Sequence, residues 1–165
     1  MSKLPTVAII GQANVGKSSL FNRLTRSRTA IVAREAGTTR DNVVGKVSYK
    51  RRNVDSTPSD DYSQFWLIDT AGLKTAEDEF EATIQDQIAD ASAAADVILV
   101  TVDSTRYPSD ADRQLAKKAL KSGKPVILIA NKADLKGSLS IDEFKRLGIK
   151  NIIKTSAEHS IGISE

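Results

Sequence analysis

The 165-residue sequence contains no cysteine, which excludes disulfides and thiolate metal centres. Aromatic residues make up only 5% of the chain, few for a surface that stacks single-stranded bases. Long apolar runs are missing too. The longest, 97–100 and 126–130, hold four and five residues, far below the ~20 that a membrane helix needs. The start, Met1-Ser2-Lys3-Leu4-Pro5, meets only four apolar residues before Gly11, too short for a signal-peptide core. Together these absences predict a soluble, cytoplasmic protein with no membrane contact.

What is present suits one folded domain, since 40% of the residues are hydrophobic and the length leaves no room for a second unit. The net charge of +3 conceals an asymmetry. Residues 1–52 carry 11 basic and 2 acidic side chains, +9, whereas 53–165 carry 13 and 19, −6. The basic stretch from Arg23 to Arg52 can attract phosphates or RNA, or serve as a solvated face around a bound anion.

Short β-branched runs alternate with amphipathic stretches, the pattern of a mostly parallel sheet with helices on both faces. Six strands are expected, at 6–10, 43–49, 64–69, 96–102, 126–130 and 151–154. The second has period-two alternation and reads as an antiparallel edge strand. Helices are expected at 17–25, 77–94, 109–121 and, briefly, 141–147. Residues 51–61, polar with one proline, read as a long hairpin connection, and 27–41 as a functional loop. Gly162-Ile163-Ser164-Glu165 looks like the opening of another helix. The expectation is therefore a three-layer α/β domain over 1–165, excised from a longer protein and lacking its final helix.

Gly11-Gln12-Ala13-Asn14-Val15-Gly16-Lys17-Ser18 matches the phosphate-binding pattern GxxxxGK[ST], directly after a strand and before a helix. Glycines let the backbone wrap an anion, and successive N–H groups at the helix start, from Asn14, Val15 and Gly16 to Ser18 and Ser19, hold phosphates. Lys17 would neutralise the β- and γ-phosphates, and Ser18 would ligate Mg²⁺. Asp69-Thr70-Ala71-Gly72 ends another apolar run in the form DxxG. Asp69 would face Mg²⁺, and the Gly72 N–H would sense the γ-phosphate. Asn131-Lys132-Ala133-Asp134 has the form NKxD and selects guanine. The Asp134 carboxylate accepts from N1–H and the N2 amine, whereas adenine would leave it facing a lone pair. Lys132 can lay its stem across the base. After the last strand, Ser156 and Ala157 form a short element whose backbone N–H groups suit guanine O6.

In this order the motifs resemble the translation-factor branch of P-loop GTPases, in particular the group containing Era, the tRNA-modification GTPase MnmE and the tandem-domain GTPase Der (EngA). Leu20-Phe21-Asn22-Arg23-Leu24 and Gly37-Thr38-Thr39-Arg40-Asp41 are typical of that group. Within it the chain is similar to the first GTPase domain of the Der family, through 95–103 and Ser122-Gly123-Lys124-Pro125. Gln12 and Ala13 depart from the Arg-Pro pair common there. The resemblance implies that Thr39 closes on Mg²⁺ and the γ-phosphate, that Asn14 ligates K⁺ with carbonyls within 34–38, and that Lys17, Thr39 and Gly72 serve catalysis. It also implies a bacterial GTPase acting in assembly of the large ribosomal subunit, with ribosomal RNA as partner of the full-length protein; the fragment itself is expected to be monomeric.

The resulting expectation is a switch that binds GTP and GDP with Mg²⁺ and K⁺ and hydrolyses GTP slowly. The residue after DxxG is Leu73, which cannot hydrogen-bond to the attacking water. The alternatives are a nucleotide-dependent ribosome-binding module with negligible turnover, a tRNA-modification GTPase domain, and an ATP-using P-loop enzyme, the last opposed by Asp134.

Overall fold

The computed structural model describes residues 3–25, 33–34, 43–52, 55, 58–69 and 84–163. Their elements run β1 (Thr6–Gly11), α1 (Lys17–Thr25), β2 (Ala33–Arg34), β3 (Val43–Arg52), β4 (Pro58–Asp69), α2 (Ile84–Ala94), β5 (Val97–Asp103), α3 (Asp110–Lys121), β6 (Val126–Asn131) and β7 (Asn151–Lys154). One sheet holds all the strands in the order β2-β3-β4-β1-β5-β6-β7. The neighbours from β4 to β7 pair parallel, while β3 is antiparallel to both β4 and β2. The six expected strands are thus present, and the two-residue β2 adds a seventh outside β3.

Alternation along the strands divides the core between the two faces of the sheet. Ala8 and Ile10 of β1 join Ile98, Val100 and Leu128 beneath α2 and α3, which contribute Ala91, Leu115 and Ala119. Ile9 points the other way, into a second cluster with Leu20 and Phe21 of α1 and with Val47 and Leu67. Helix α3 has the firmest start. Ser109 caps it by accepting from the Asp112 N–H, and Asp112 returns a bond from the Ser109 N–H, a capping box that satisfies two otherwise orphaned donors.

Two expectations about connections are corrected. The hairpin connection expected over 51–61 is shorter at both ends, because β3 continues to Arg52 and β4 begins at Pro58, with 53–54 and 56–57 outside the described residues. Polarity there misleads, since an antiparallel ladder closes through backbone groups and its cross-strand side chains can be polar. Lys50 pairs with Tyr62 and Ser48 with Gln64, whose amide donates to the Ser48 hydroxyl at 3.1 Å. Lys46 also lies 5.9 Å from the centre of its partner Trp66, a cation–π contact. The short helix over 141–147 is two 3₁₀ turns, Ile141–Glu143 and Lys145–Leu147. Ile141, Phe144 and Leu147 recur every third residue, which is the 3₁₀ period, and Phe144 and Leu147 are buried. Of the helix expected over 77–94, residues 84–94 are helical and the rest lie outside the described residues.

The chain leaves β1 through α1 towards β2, β3 and β4 on one side, while β5, β6 and β7 lie on the other. The C-terminal end of β1 is therefore a switch point, the crevice where parallel α/β sheets bind ligands.

Candidate nucleotide site

The loop 11–16 begins at that switch point. A Cβ on Gly11 would stand 2.5 Å from the Thr101 carbonyl of β5, so only glycine lets the loop leave the sheet there. Asn14 and Gly16 then take positive φ, 63° and 93°, turning the chain into a cup that opens onto the start of α1. The Lys17 side chain, 7% exposed, folds back over the cup and donates to the carbonyls of Gly11 at 2.8 Å and Gln12 at 2.5 Å. Ser18 and Ser19 are exposed on the first turn of α1.

A second wall comes from the end of β6. Asn131, 2% exposed, donates from its amide to the Val15 carbonyl at 3.1 Å. Its carbonyl oxygen accepts from the Thr155 hydroxyl at 3.0 Å and, at 3.4 Å, from the Ala157 N–H. One side chain thereby ties the loop after β1 to the turn after β7. Lys132, in a left-handed conformation at φ 64°, donates to the Asn14 carbonyl at 2.6 Å and pairs with Asp103 of β5 at 3.0 Å. Burial raises the Asp103 carboxyl, but hydrogen bonds from the Thr105 hydroxyl and N–H, with Lys132, outweigh it and hold the group below its ordinary value.

Asp134 is half-buried beside these groups. A hydrogen bond from the Ser156 side chain does most to lower its carboxyl, against burial, with its own backbone N–H and His159 assisting. The His159 Nε2 lies 3.3 Å from it. Gly16, Ser19, Asn131, Lys132, Asp134, Ser156 and Ala157 face one cavity of about 160 Å³. The loop after β1, the first turn of α1, the end of β6 and the turn after β7 thus converge on one hollow.

Asp69 ends β4 with 1% exposure, level with Ile9 of β1 in the ladder. Thr39, Gly72 and Leu73 lie outside the described residues, as does the stretch 35–38 assigned to K⁺.

Two contacts have no signature in the sequence. Arg23 of α1 donates from Nε to the Ala157 carbonyl and from a terminal nitrogen to the Glu158 carbonyl, each at 2.5 Å. The Gln12 amide donates to Ser109 and Asp112, both at 2.7 Å, joining the loop after β1 to the cap of α3. A sequence offers only the residue types at such positions, because their partners are about a hundred residues away.

Residues 6–132 match the sequence family described as 50S ribosome-binding GTPase. GTPase Der of Porphyromonas gingivalis is 43% identical over 145 residues, covering 87% of this chain and 31% of its own. The chain therefore spans about a third of the curated relatives it matches. Among solved structures, the G domain of the T. maritima FeoB iron transporter superposes with a TM-score of 0.68 at 26% identity, covering 98% of this chain and 92% of that one. Era of Aquifex aeolicus, bound to GDP·AlF₄⁻, gives 0.66 at 29% identity, with 97% and 53% covered. Similar over most of its length to GTPase Der, the chain belongs to the 50S ribosome-binding GTPase family.

Proposed function

We propose that the chain binds Mg²⁺·GTP, hydrolyses it to GDP and phosphate, and works in the cytoplasm as a nucleotide switch for assembly of the large ribosomal subunit, with ribosomal RNA among its partners. The observation that carries this reading is the Asn131–Val15 hydrogen bond. It fixes a base-reading carboxylate, three residues further on, relative to a phosphate-binding loop. The description of the family supports the ribosomal part. One continuous sheet with a core on each face supports a single G domain.

In this account Asp134 accepts from guanine N1–H and N2, and the N–H groups around Ser156 and Ala157 face O6. The Lys132 stem covers the base. Lys17 carries three N–H donors and exchanges its loop carbonyls for β- and γ-phosphate oxygens. The backbone N–H groups from Asn14 to Ser19 hold the phosphates at the start of α1, where the helix dipole favours negative charge. Thr39 and the Gly72 N–H would close on the γ-phosphate and couple its presence to the segments carrying them.

The exposed Ser18 hydroxyl on the first turn of α1 and the Asp69 carboxylate at the end of β4 are hard oxygen donors, which suits Mg²⁺. Together with Thr39 they would hold it. Once bound, that ion would neutralise charge on the β- and γ-phosphate oxygens. Asn14 is exposed in the loop and offers an oxygen donor for K⁺.

Competition against a fluorescent guanine nucleotide tests the reading. GDP and GTP should displace the probe at least a hundredfold better than ADP and ATP, a preference worth ~2.7 kcal/mol. The Lys17→Ala variant should lose tight binding. Comparable affinity for ATP and GTP would remove the guanine assignment.

A further inference from the structure

Guanine recognition, as proposed above, has two sides. Asp134 reads the N1 and N2 edge, and the turn after β7 presents backbone N–H groups to O6. The first is a side chain with its own supports, whereas the second is only as precise as the backbone of residues 156–159. What fixes that backbone is visible in the structure. Arg23, on the last turn of α1, reaches across 134 and 135 residues of sequence to the consecutive carbonyls of Ala157 and Glu158.

We infer that Arg23 is a positioning residue for base specificity, aligning the turn after β7 for the O6 atom of guanine through its two-pronged grip on the Ala157 and Glu158 carbonyls. The inference rests on the nucleotide reading of the site. In a trans peptide the C=O and the following N–H point in opposite directions. Drawing the Ala157 carbonyl to Arg23 therefore turns the Glu158 N–H away from α1, and drawing the Glu158 carbonyl does the same for the His159 N–H. The His159 N–H meets the Ser156 hydroxyl at 3.2 Å. Ser156 also donates to Asp134, so the same grip connects the turn to the other side of base recognition.

Only arginine suits this position. Its guanidinium is planar and rigid, with donors spaced to meet two adjacent acceptors, whereas lysine offers a single flexible point of charge. The grip also has a fixed base. Arg23 and Lys17 belong to the same short helix, so the guanine end of the pocket is indexed directly to the phosphate end. Asn131 makes the complementary tie from β6 to the loop after β1.

Dissociation constants of GDP, 6-thio-GDP and IDP for the native chain, Arg23→Ala and Arg23→Lys test the inference. Replacing O6 by sulfur acts chiefly on the acceptor that the turn reads, and IDP lacks only the N2 amine that Asp134 reads. Arg23→Ala should narrow the preference for GDP over 6-thio-GDP by about fivefold, the worth of one net hydrogen bond. Its preference for GDP over IDP should stay native. Arg23→Lys should recover less than half of the lost preference. Equal loss of affinity for all three nucleotides, an unchanged 6-thio-GDP ratio, or full recovery by lysine would overturn the inference. A native chain that fails to prefer GDP over ADP would instead refute the base pocket itself, an outcome read without any variant.

Discussion

The side-chain amide of Asn131 and the backbone carbonyl of Val15, 116 residues apart in the chain, meet at 3.1 Å inside the protein. Asn131 thus acts as a strut between two loops before it acts on any ligand. Removing it leaves the Val15 carbonyl and the Thr155 hydroxyl without this partner in a buried place. Asn131→Ala should lower the unfolding free energy by about 1–3 kcal/mol and weaken GDP binding in parallel. Urea unfolding and a nucleotide titration on the same preparation check this; native stability in the variant would deny the strut.

Gly16 packs against that same amide. It has φ 93°, and a Cβ there would collide with the Asn131 side-chain nitrogen. Gly16→Ala should therefore displace Asn131 as well as strain the backbone, costing clearly more than the ~1–2 kcal/mol of a left-handed alanine alone. Gly123→Ala supplies the control, since Gly123 has φ 76° and nothing within 4 Å of a Cβ. Equal losses of thermal stability in the two variants would contradict the packing argument.

Much of this site was legible because its motifs stand at strand ends. The expected bounds of α1 and β7 are those observed, and Gly16, Ser19, Asn131, Lys132, Asp134, Ser156 and Ala157 do line one pocket. Apolar runs flanked by glycine and polar turns fix such strands locally. Residues 141–147 were harder, because a period of three and a period of 3.6 differ little over seven residues. The extension of β3 and β4 was hidden by its polar composition, and Arg23 by sequence separation. Asn131 was legible as part of NKxD, but its ties to Val15, Thr155 and Ala157 were not, because those partners lie 116, 24 and 26 residues away.

The Asp103–Lys132 pair gives the fold a signature at acid pH. The folded Asp103 carboxyl sits below its ordinary value. Its stabilising contribution is thus complete above the unfolded-state pKa, about 3.9, and disappears as pH falls through the lower folded value. The stability gap between the native chain and Asp103→Asn should stay level from pH 8 to 5 and shrink below about pH 4. Thermal unfolding across that range checks it, and a gap that grows on acidification would reverse the assignment.

Potassium should accelerate GTP hydrolysis through Asn14. This residue is exposed in the loop, and its backbone carbonyl is already engaged by Lys132 at 2.6 Å, which leaves the side-chain oxygen as its donor to an ion. Rates in K⁺ and Na⁺ at equal ionic strength, for the native chain and Asn14→Ala, form the test. Native stimulation should exceed twofold and vanish in the variant. Retention of the full stimulation by Asn14→Ala would place the ion elsewhere.

Phosphate release from GTP and XTP by the native chain and Asp134→Asn tests most directly whether Asp134 chooses the nucleotide that this domain hydrolyses. Xanthine carries a carbonyl where guanine carries the N2 amine, so an amide at position 134 can donate where the carboxylate accepted. The native chain should release phosphate slowly from GTP with Mg²⁺ and hardly at all from XTP, and Asp134→Asn should reverse that order. Phosphate release from GTP no faster than the uncatalysed background, or an unchanged base preference in the variant, would contradict the account.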